Sequence, residues 1–274
     1  MRDTVHRISM LKQSIAVLFV FVYCISLFSQ QAYKEKDLTD GGTICGRVTL
    51  AGTSPSIPKM VVTKNADLCG ALKPSPRLSV GKSGGVANAI VYLENIAEGK
   101  KCTAAKKFQL KQSQCEYSPH VMIISPGSHL EIVNNDKILH NVHAYDCGHA
   151  LKSVFNIAQP IKGQCTPVND AQLSKAGLIE TTCDAGHPWM SAYIMVASHP
   201  YYAVTDNDGN FTLSDVPPGK YRLKMWHEGV AIAKTETENG KAKKYVYEEP
   251  YEQTSDVSVA PHGNASANFE LKLK

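Results

Sequence analysis

Cys183-Asp-Ala-Gly-His187-Pro-Trp-Met190-Ser-Ala-Tyr-Ile-Met-Val196 sets a short polar loop directly against an apolar, β-rich run. Cys183, His187 and Met190 fall within eight residues, and a loop of that length between two strands can turn all three toward one point. Upstream, His129-Leu-Glu-Ile-Val-Asn-Asn-Asp-Lys-Ile-Leu-His140-Asn141-Val-His143 reads as a strand, a polar turn and a histidine delivered on the far side. His140 can join the later loop only if both loops lie at one end of a sandwich. The spacing therefore predicts a β-sandwich around the site.

Outward from these segments the same texture continues. Short β-rich runs recur at Thr43–Leu50, Ala89–Leu93, His120–Ile124, His129–Val133, Ala192–Val196, Asn210–Leu213 and Tyr221–Trp226, bounded by Gly, Pro, Asn and Asp. Strands at this spacing argue for antiparallel sandwiches and an all-β fold. Only Asp170–Lys175 is suited to a helical turn, with Asn169 or Asp170 as its cap. Three stretches follow the expected export leader at 1–30: a β segment at 31–106, the site-bearing segment at 107–198 and a small β module at 199–274. The strands of 31–106 are either a subdomain of their own or extra strands of the site-bearing sandwich, and the sequence leaves both open. Asp206, Asp208 and Gly209 read as a tight turn, since no distal Glu completes a calcium loop.

The 274 residues are 43% hydrophobic and 20% charged, an ordinary globular balance. Of the formal charge of +4, Arg2, Arg7 and Lys12 against Asp3 place +2 in the first dozen residues. The remainder is nearly neutral, so nucleic-acid binding has no electrostatic support. The basic start, the apolar run Ile15–Phe28 and the polar exit at Ser29 read as a secretory signal, too short for a membrane span of about 20 residues. Export to a bacterial periplasm or cell surface, with no membrane span in the mature form, is the expectation. In an oxidising compartment the seven later cysteines favour pairing, and an odd number leaves one thiol over. The expected pairs are Cys147–Cys165, Cys69–Cys115 and Cys45–Cys102, with Cys183 as the remainder.

Two imidazoles, one thiolate and a weak thioether, from His140, His187, Cys183 and Met190, suit a mononuclear copper. Zinc rarely takes a thioether, and iron–sulfur clusters need more thiolates. No acid–base pair is visible beside the site, so an electron carrier is expected in preference to an enzyme. A copper-delivery protein, or a surface interaction module without redox turnover, is the alternative.

His140-Asn141-Val142-His143 and His187-Pro188-x-Met190 resemble the cupredoxin family, its amicyanin- and plastocyanin-like members above all. The resemblance implies a Greek-key sandwich in which His140, the histidine followed by Asn, is a ligand and His143 only a neighbour. It implies that Asn141 directs its N–H at the Cys183 sulfur and braces the ligand loop. It also implies that His187 presents its outer ring edge through an apolar surface, where a redox partner docks. One departure stands out: Asp184, Ala185 and Gly186 put three residues between Cys and His where amicyanin-like loops have two. A binuclear copper loop would need a cysteine at position 179, which is Ile179. The stretches His199-Pro-Tyr-Tyr-Ala-Val-Thr-Asp and Val216-Pro-Pro-Gly-Lys-Tyr-Arg-Leu-Lys-Met-Trp-His227 resemble a carboxypeptidase regulatory-like module of transthyretin type. The joined pair resembles bacterial proteins often labelled methylamine-utilisation-like, a label that implies no substrate.

Overall fold

The computed structural model of the chain describes residues 33–102, 106–148 and 151–273, and the expected leader lies outside them. The described residues are almost wholly β, as expected. Helix is confined to Ala66–Cys69 and the single tight turn Asp170–Leu173. Asn169 caps that turn, its side-chain oxygen accepting the Ala171 N–H. Among the described residues no helix is long and apolar enough to cross a membrane.

The first sandwich packs two sheets. One runs Lys152–Gln159, His140–Asp146, Gly177–Thr182, Ser191–Val196 and Val121–Ile124, in that order; the other runs Cys165–Pro167, His129–Asn134, Lys107–Ser113 and Glu116–Ser118. Successive strand side chains alternate faces, so Val142 and Ala144 point inward, as do Ile179 and Ala192, against Leu110, Leu130 and Ile132 of the opposite sheet. The same period of two carries His140 onto the inward face ahead of Val142, and Cys183 onto it after Ile179 and Thr181. Both are buried at the end of the core. Two polar residues thus occupy positions that alternation assigns to apolar ones.

The second sandwich sets Tyr202–Val204, Ile90–Leu93, Gly219–His227 and Tyr251–Val259 against Gly42–Leu50, which pairs with Asn210–Val216, Asn264–Ser266 and Phe269–Leu271. Its interior is apolar, with Ile44, Val48, Leu93, Leu223, Met225 and Phe269 at the centre. Strands Gly42–Leu50 and Ile90–Leu93 therefore pair with C-terminal strands, while residues 60–73 cross to the first sandwich, where Met60 and Val62 enter its core. Ser191–Val196 is buried at every position because both its faces are covered. Ala192 and Ile194 face the first core, while Tyr193 and Met195 meet Ile90 and Trp226 of the second sandwich.

One disulfide forms, Cys69–Cys115, across 46 residues, as expected. The other two expected pairs do not: Cys45, Cys102, Cys147 and Cys165 are all free. A disulfide needs Cα atoms within about 7 Å, and these residues sit on elements that are not neighbours. Cys45 belongs to the second sandwich beside Thr212, and the Cys102 backbone is held by Glu35. Cys165 lies on the edge strand of the four-stranded sheet, Cys147 just past a strand of the five-stranded one. Parity therefore does not single out Cys183; burial does, since it is the one buried thiol among the free cysteines described.

Candidate metal centre

The turn before His140 is built by Asn134. Its fully buried side chain donates to the carbonyls of Ile138 (2.9 Å) and Gln159 (2.8 Å), and its oxygen accepts the Asp136 N–H at 2.9 Å. The Asp136 carboxylate is thereby aimed at three donors. These are the Gln114 N–H at 2.8 Å, the Cys115 N–H at 2.9 Å and His140 Nε2 at 2.8 Å. Gln114 and Cys115 both have positive φ (52° and 59°), the conformation a two-residue hairpin turn requires and side-chain-bearing residues resist. Burial pushes Asp136 upward, but the Cys115 N–H, His140 and Gln114 outweigh it and hold the carboxyl below the ordinary aspartate range. Sequence reasoning did not find Asp136 as a brace; the polar turn Asn134-Asn135-Asp136 four residues ahead of His140 was the available signal.

Because an ionised carboxylate only accepts, His140 Nε2 carries the proton and Nδ1 carries the lone pair. That Nδ1 is buried without a hydrogen-bond partner among the described residues. Burial lowers the His140 pKa despite Asp136, so the ring stays neutral.

Cys183 follows the strand Gly177–Thr182 and opens the second loop. The backbone N–H groups of Ala185 and Asn141 and the side chain of Tyr117, whose hydroxyl donates to the Asn141 carbonyl, favour the charged form of its sulfur. Burial pushes the thiol up and these neighbours pull it back only in part, leaving it above the ordinary value. Asn141 also takes the Asp184 N–H on its side-chain oxygen at 3.1 Å and donates to Asn156, tying the two loops together. Gly186 adopts φ +90°, and a Cβ there would stand 2.9 Å from Lys64 Cδ. The third residue of the Cys–His gap is thus accommodated where only glycine fits easily. His187 N-terminal to Pro188 then closes a turn, its carbonyl accepting the Met190 N–H at 3.0 Å.

His187 Nδ1 lies 3.5 Å from Cys183 Sγ, and its Nε2 faces Asn65 Oδ1 at 3.0 Å. The amide oxygen accepts, so His187 too holds its proton on Nε2 and turns Nδ1 inward. The two imidazole rings are 4.9 Å apart. The ligand atoms offered by His140, Cys183 and His187 all lie within 4.8 Å of one another, and all three residues are buried. Met190 is buried in the same core cluster as Cys183. Burial, with the neighbouring His140 and Lys64, pushes the His187 pKa down to about 4.

Two expectations are corrected here. The outer edge of His187 is not at a surface: the residue is fully buried, because Asn65 covers Nε2 and Lys64 donates to the Ala185 carbonyl at 2.8 Å. An acid–base pair does stand beside the loop. His143 Nδ1 lies 2.6 Å from the Asp184 carboxylate, and its Nε2 meets Ser153 Oγ at 2.9 Å. With both nitrogens engaged, His143 has no lone pair free for a metal.

The donor set fits a soft-to-borderline metal: one thiol, two neutral imidazoles with inward lone pairs, and a thioether in the same cluster. Comparison with known proteins adds little weight. A family model of polysaccharide lyase family 4, domain II, matches residues 173–242, about a quarter of the chain. No curated protein sequence matches. A purple cupredoxin from Nitrosopumilus maritimus is 21% identical over 32% of this chain and 98% of its own, with a TM-score of 0.28. Amicyanin from Paracoccus versutus is 20% identical over 35% of this chain and 85% of its own, TM-score 0.28. A copper-containing nitrite reductase from Thermus scotoductus is 20% identical over 37% of this chain but only 25% of its own, TM-score 0.27. At these scores the fold and the site rest on the strands and side chains themselves.

Proposed function

We propose that His140, Cys183, His187 and Met190 hold one mononuclear copper in an exported one-electron carrier. The observation that supports this most is the buried, unpartnered Nδ1 of His140, aimed into a cluster with a thiol and a second inward lone pair. An unpaired buried acceptor costs about 1–3 kcal/mol, and a bound metal would remove that cost. Bound there, copper would supply exchange between Cu(I) and Cu(II) in a ligand set that suits both. The chain's own part is to fix both ring tautomers through Asp136 and Asn65, to brace the loops through Asn141, and to exclude water. The Cys69–Cys115 disulfide agrees with an oxidising compartment, periplasm or cell surface.

A second reading, copper holding or delivery without electron exchange, is favoured by one observation: the buried outer edge of His187 gives a redox partner no direct contact. A partner approaching that end meets Asn65 and Lys64 first. Reversible redox cycling at a reproducible potential separates the carrier from the holder.

The test is addition of Cu(II) to the purified protein with the visible spectrum recorded, repeated with Cys183→Ser. The expected result is an intense thiolate-to-copper absorption that disappears in the variant. Its absence from the native protein sinks the proposal.

A further inference from the structure

Residues 60–73 form a strap across the end of the first sandwich. Met60–Val61 pairs with Leu72–Lys73, and the short helix Ala66–Cys69 lies between them. The strap is fixed at several points. Met60 and Val62 are buried in the sandwich core, and the Cys69–Cys115 disulfide joins it to the hairpin turn whose N–H groups hold Asp136. Lys73 Nζ reaches the Gln114 carbonyl and, at 2.9 Å, Glu116. Toward the loop it presents Lys64, packed on Gly186 and bonded to the Ala185 carbonyl, and Asn65.

Asn65 is the unusual residue. It precedes the helix where an Asn ordinarily caps, yet its φ is 58° and its side chain makes no cap hydrogen bond. Its oxygen is spent instead on His187 Nε2 at 3.0 Å. Asn tolerates this left-handed conformation better than most residues, so backbone and side chain together serve the contact with His187 and not the helix.

Resting on the copper reading above, we infer that Asn65 is a positioning residue for His187: it fixes the ring with Nδ1 toward the metal and, on a disulfide-tethered strap, closes the path by which solvent and competing ligands would reach it. His140 is held differently, its outer nitrogen bonded to Asp136 on the turn just before its own strand.

The test compares the native protein with Asn65→Gly and Asn65→Asp. Gly keeps the positive φ and deletes the amide, and Asp keeps the accepting oxygen. In the metal-free protein, long-range proton–nitrogen NMR of the rings should find His187 with its proton on Nε2 in the native and Asp forms. The Gly form should give a mixture of tautomers. In copper-loaded protein, removal of Cu(II) by EDTA should run about five- to tenfold faster for Asn65→Gly, the effect of losing one hydrogen bond, and near the native rate for Asn65→Asp. An unchanged tautomer in Asn65→Gly, or equal EDTA rates in all three proteins, overturns the role of Asn65. The NMR measurement needs no metal, so it decides that role even where a missing thiolate absorption has already removed the copper reading.

Discussion

Two regions of this protein bury polar groups, and they do so to opposite ends. Between the sandwiches, Arg77 is almost fully buried with Glu228 at 3.0 Å, Glu180 at 2.8 Å and the Tyr193 hydroxyl at 2.9 Å, while the Tyr247 ring lies against its guanidinium. His120 closes the network on the other carboxylate oxygen of Glu228. Burial would raise Glu228, but His120 and Arg77 outweigh it and hold the carboxyl below the ordinary glutamate range. Opposite charges meet there: among the described residues Arg77 Nε and Glu228 Oε2 lack a well-aligned hydrogen bond, but Oε2 is ion-paired with the guanidinium at 3.0 Å. At the end of the first sandwich, by contrast, no charge among the described residues answers the inward nitrogens of His140 and His187. A satisfied polar cluster locks elements together; one left with an open lone pair is built for something that arrives later. The difference is one of pairing, since burial is the same in both.

The largest effect should come from breaking the lock. Arg77→Leu leaves Glu228 buried with His120 alone, and removing one partner of a buried pair typically costs about 3–5 kcal/mol. Denaturant unfolding of the metal-free protein should reveal that loss, and adding Glu228→Leu should recover part of it because no buried charge remains. A cost under about 1 kcal/mol, the range of exposed pairs, would mean the network is solvated and the contrast with the metal end fails.

The convergence of His140, Cys183 and His187 was legible from residue types, because ligand chemistry needs particular atoms and these side chains carry them; Met190 enters the same core cluster. The β texture was legible too, since alternation and turn residues are local. Asn65 was not, because nothing local ties it to a histidine 122 residues away. Nor was Arg77, whose partners come from both sandwiches. Strands Gly42–Leu50 and Ile90–Leu93 declared themselves as strands but not their neighbours, because alternation says which face is buried and never against what. Counting cysteines misled for the same reason: a disulfide is a statement about distance, and four of the six candidates lie on elements that do not meet.

His199 offers a third kind of buried polar group, neither ligand nor ion-paired, and an intermediate effect. It accepts the Tyr201 N–H at 3.2 Å and packs among Tyr33, Tyr201 and Tyr202. Burial pushes its pKa down to about 4 from the ordinary 6.5. With the folded value below the unfolded one, the unfolded chain takes the proton first. Stability is therefore fully present above pH 6.5 and is lost as the pH falls toward 4, by at most about 3 kcal/mol. His199→Asn keeps an acceptor for Tyr201 and cannot titrate, so its stability–pH curve should be flatter than the native one across that window. Parallel curves would show that His199 is solvated enough to protonate in place.

The smallest change in stability should come from the residue that matters most to the site. His140→Leu fills nearly the same volume on the inward face, beside Val142 and Ala144, and removes the unpartnered Nδ1. Asp136 loses its bond to the ring but keeps the Gln114 and Cys115 N–H groups. Removing one partner of a buried hydrogen bond costs about 1–3 kcal/mol when it leaves the other unsatisfied, but each Asp136 oxygen keeps an N–H donor, so the metal-free variant should unfold within about 1 kcal/mol of the native protein. The same substitution should abolish the thiolate-to-copper absorption or shift it beyond recognition. Set beside Arg77→Leu, that outcome would invert the relation between burial and stability: one buried polar group would hold the fold, and the other would contribute little to it, as the proposed metal role requires. A loss of several kcal/mol in metal-free His140→Leu would place His140 with Arg77 as a structural residue and remove the main support for the metal centre.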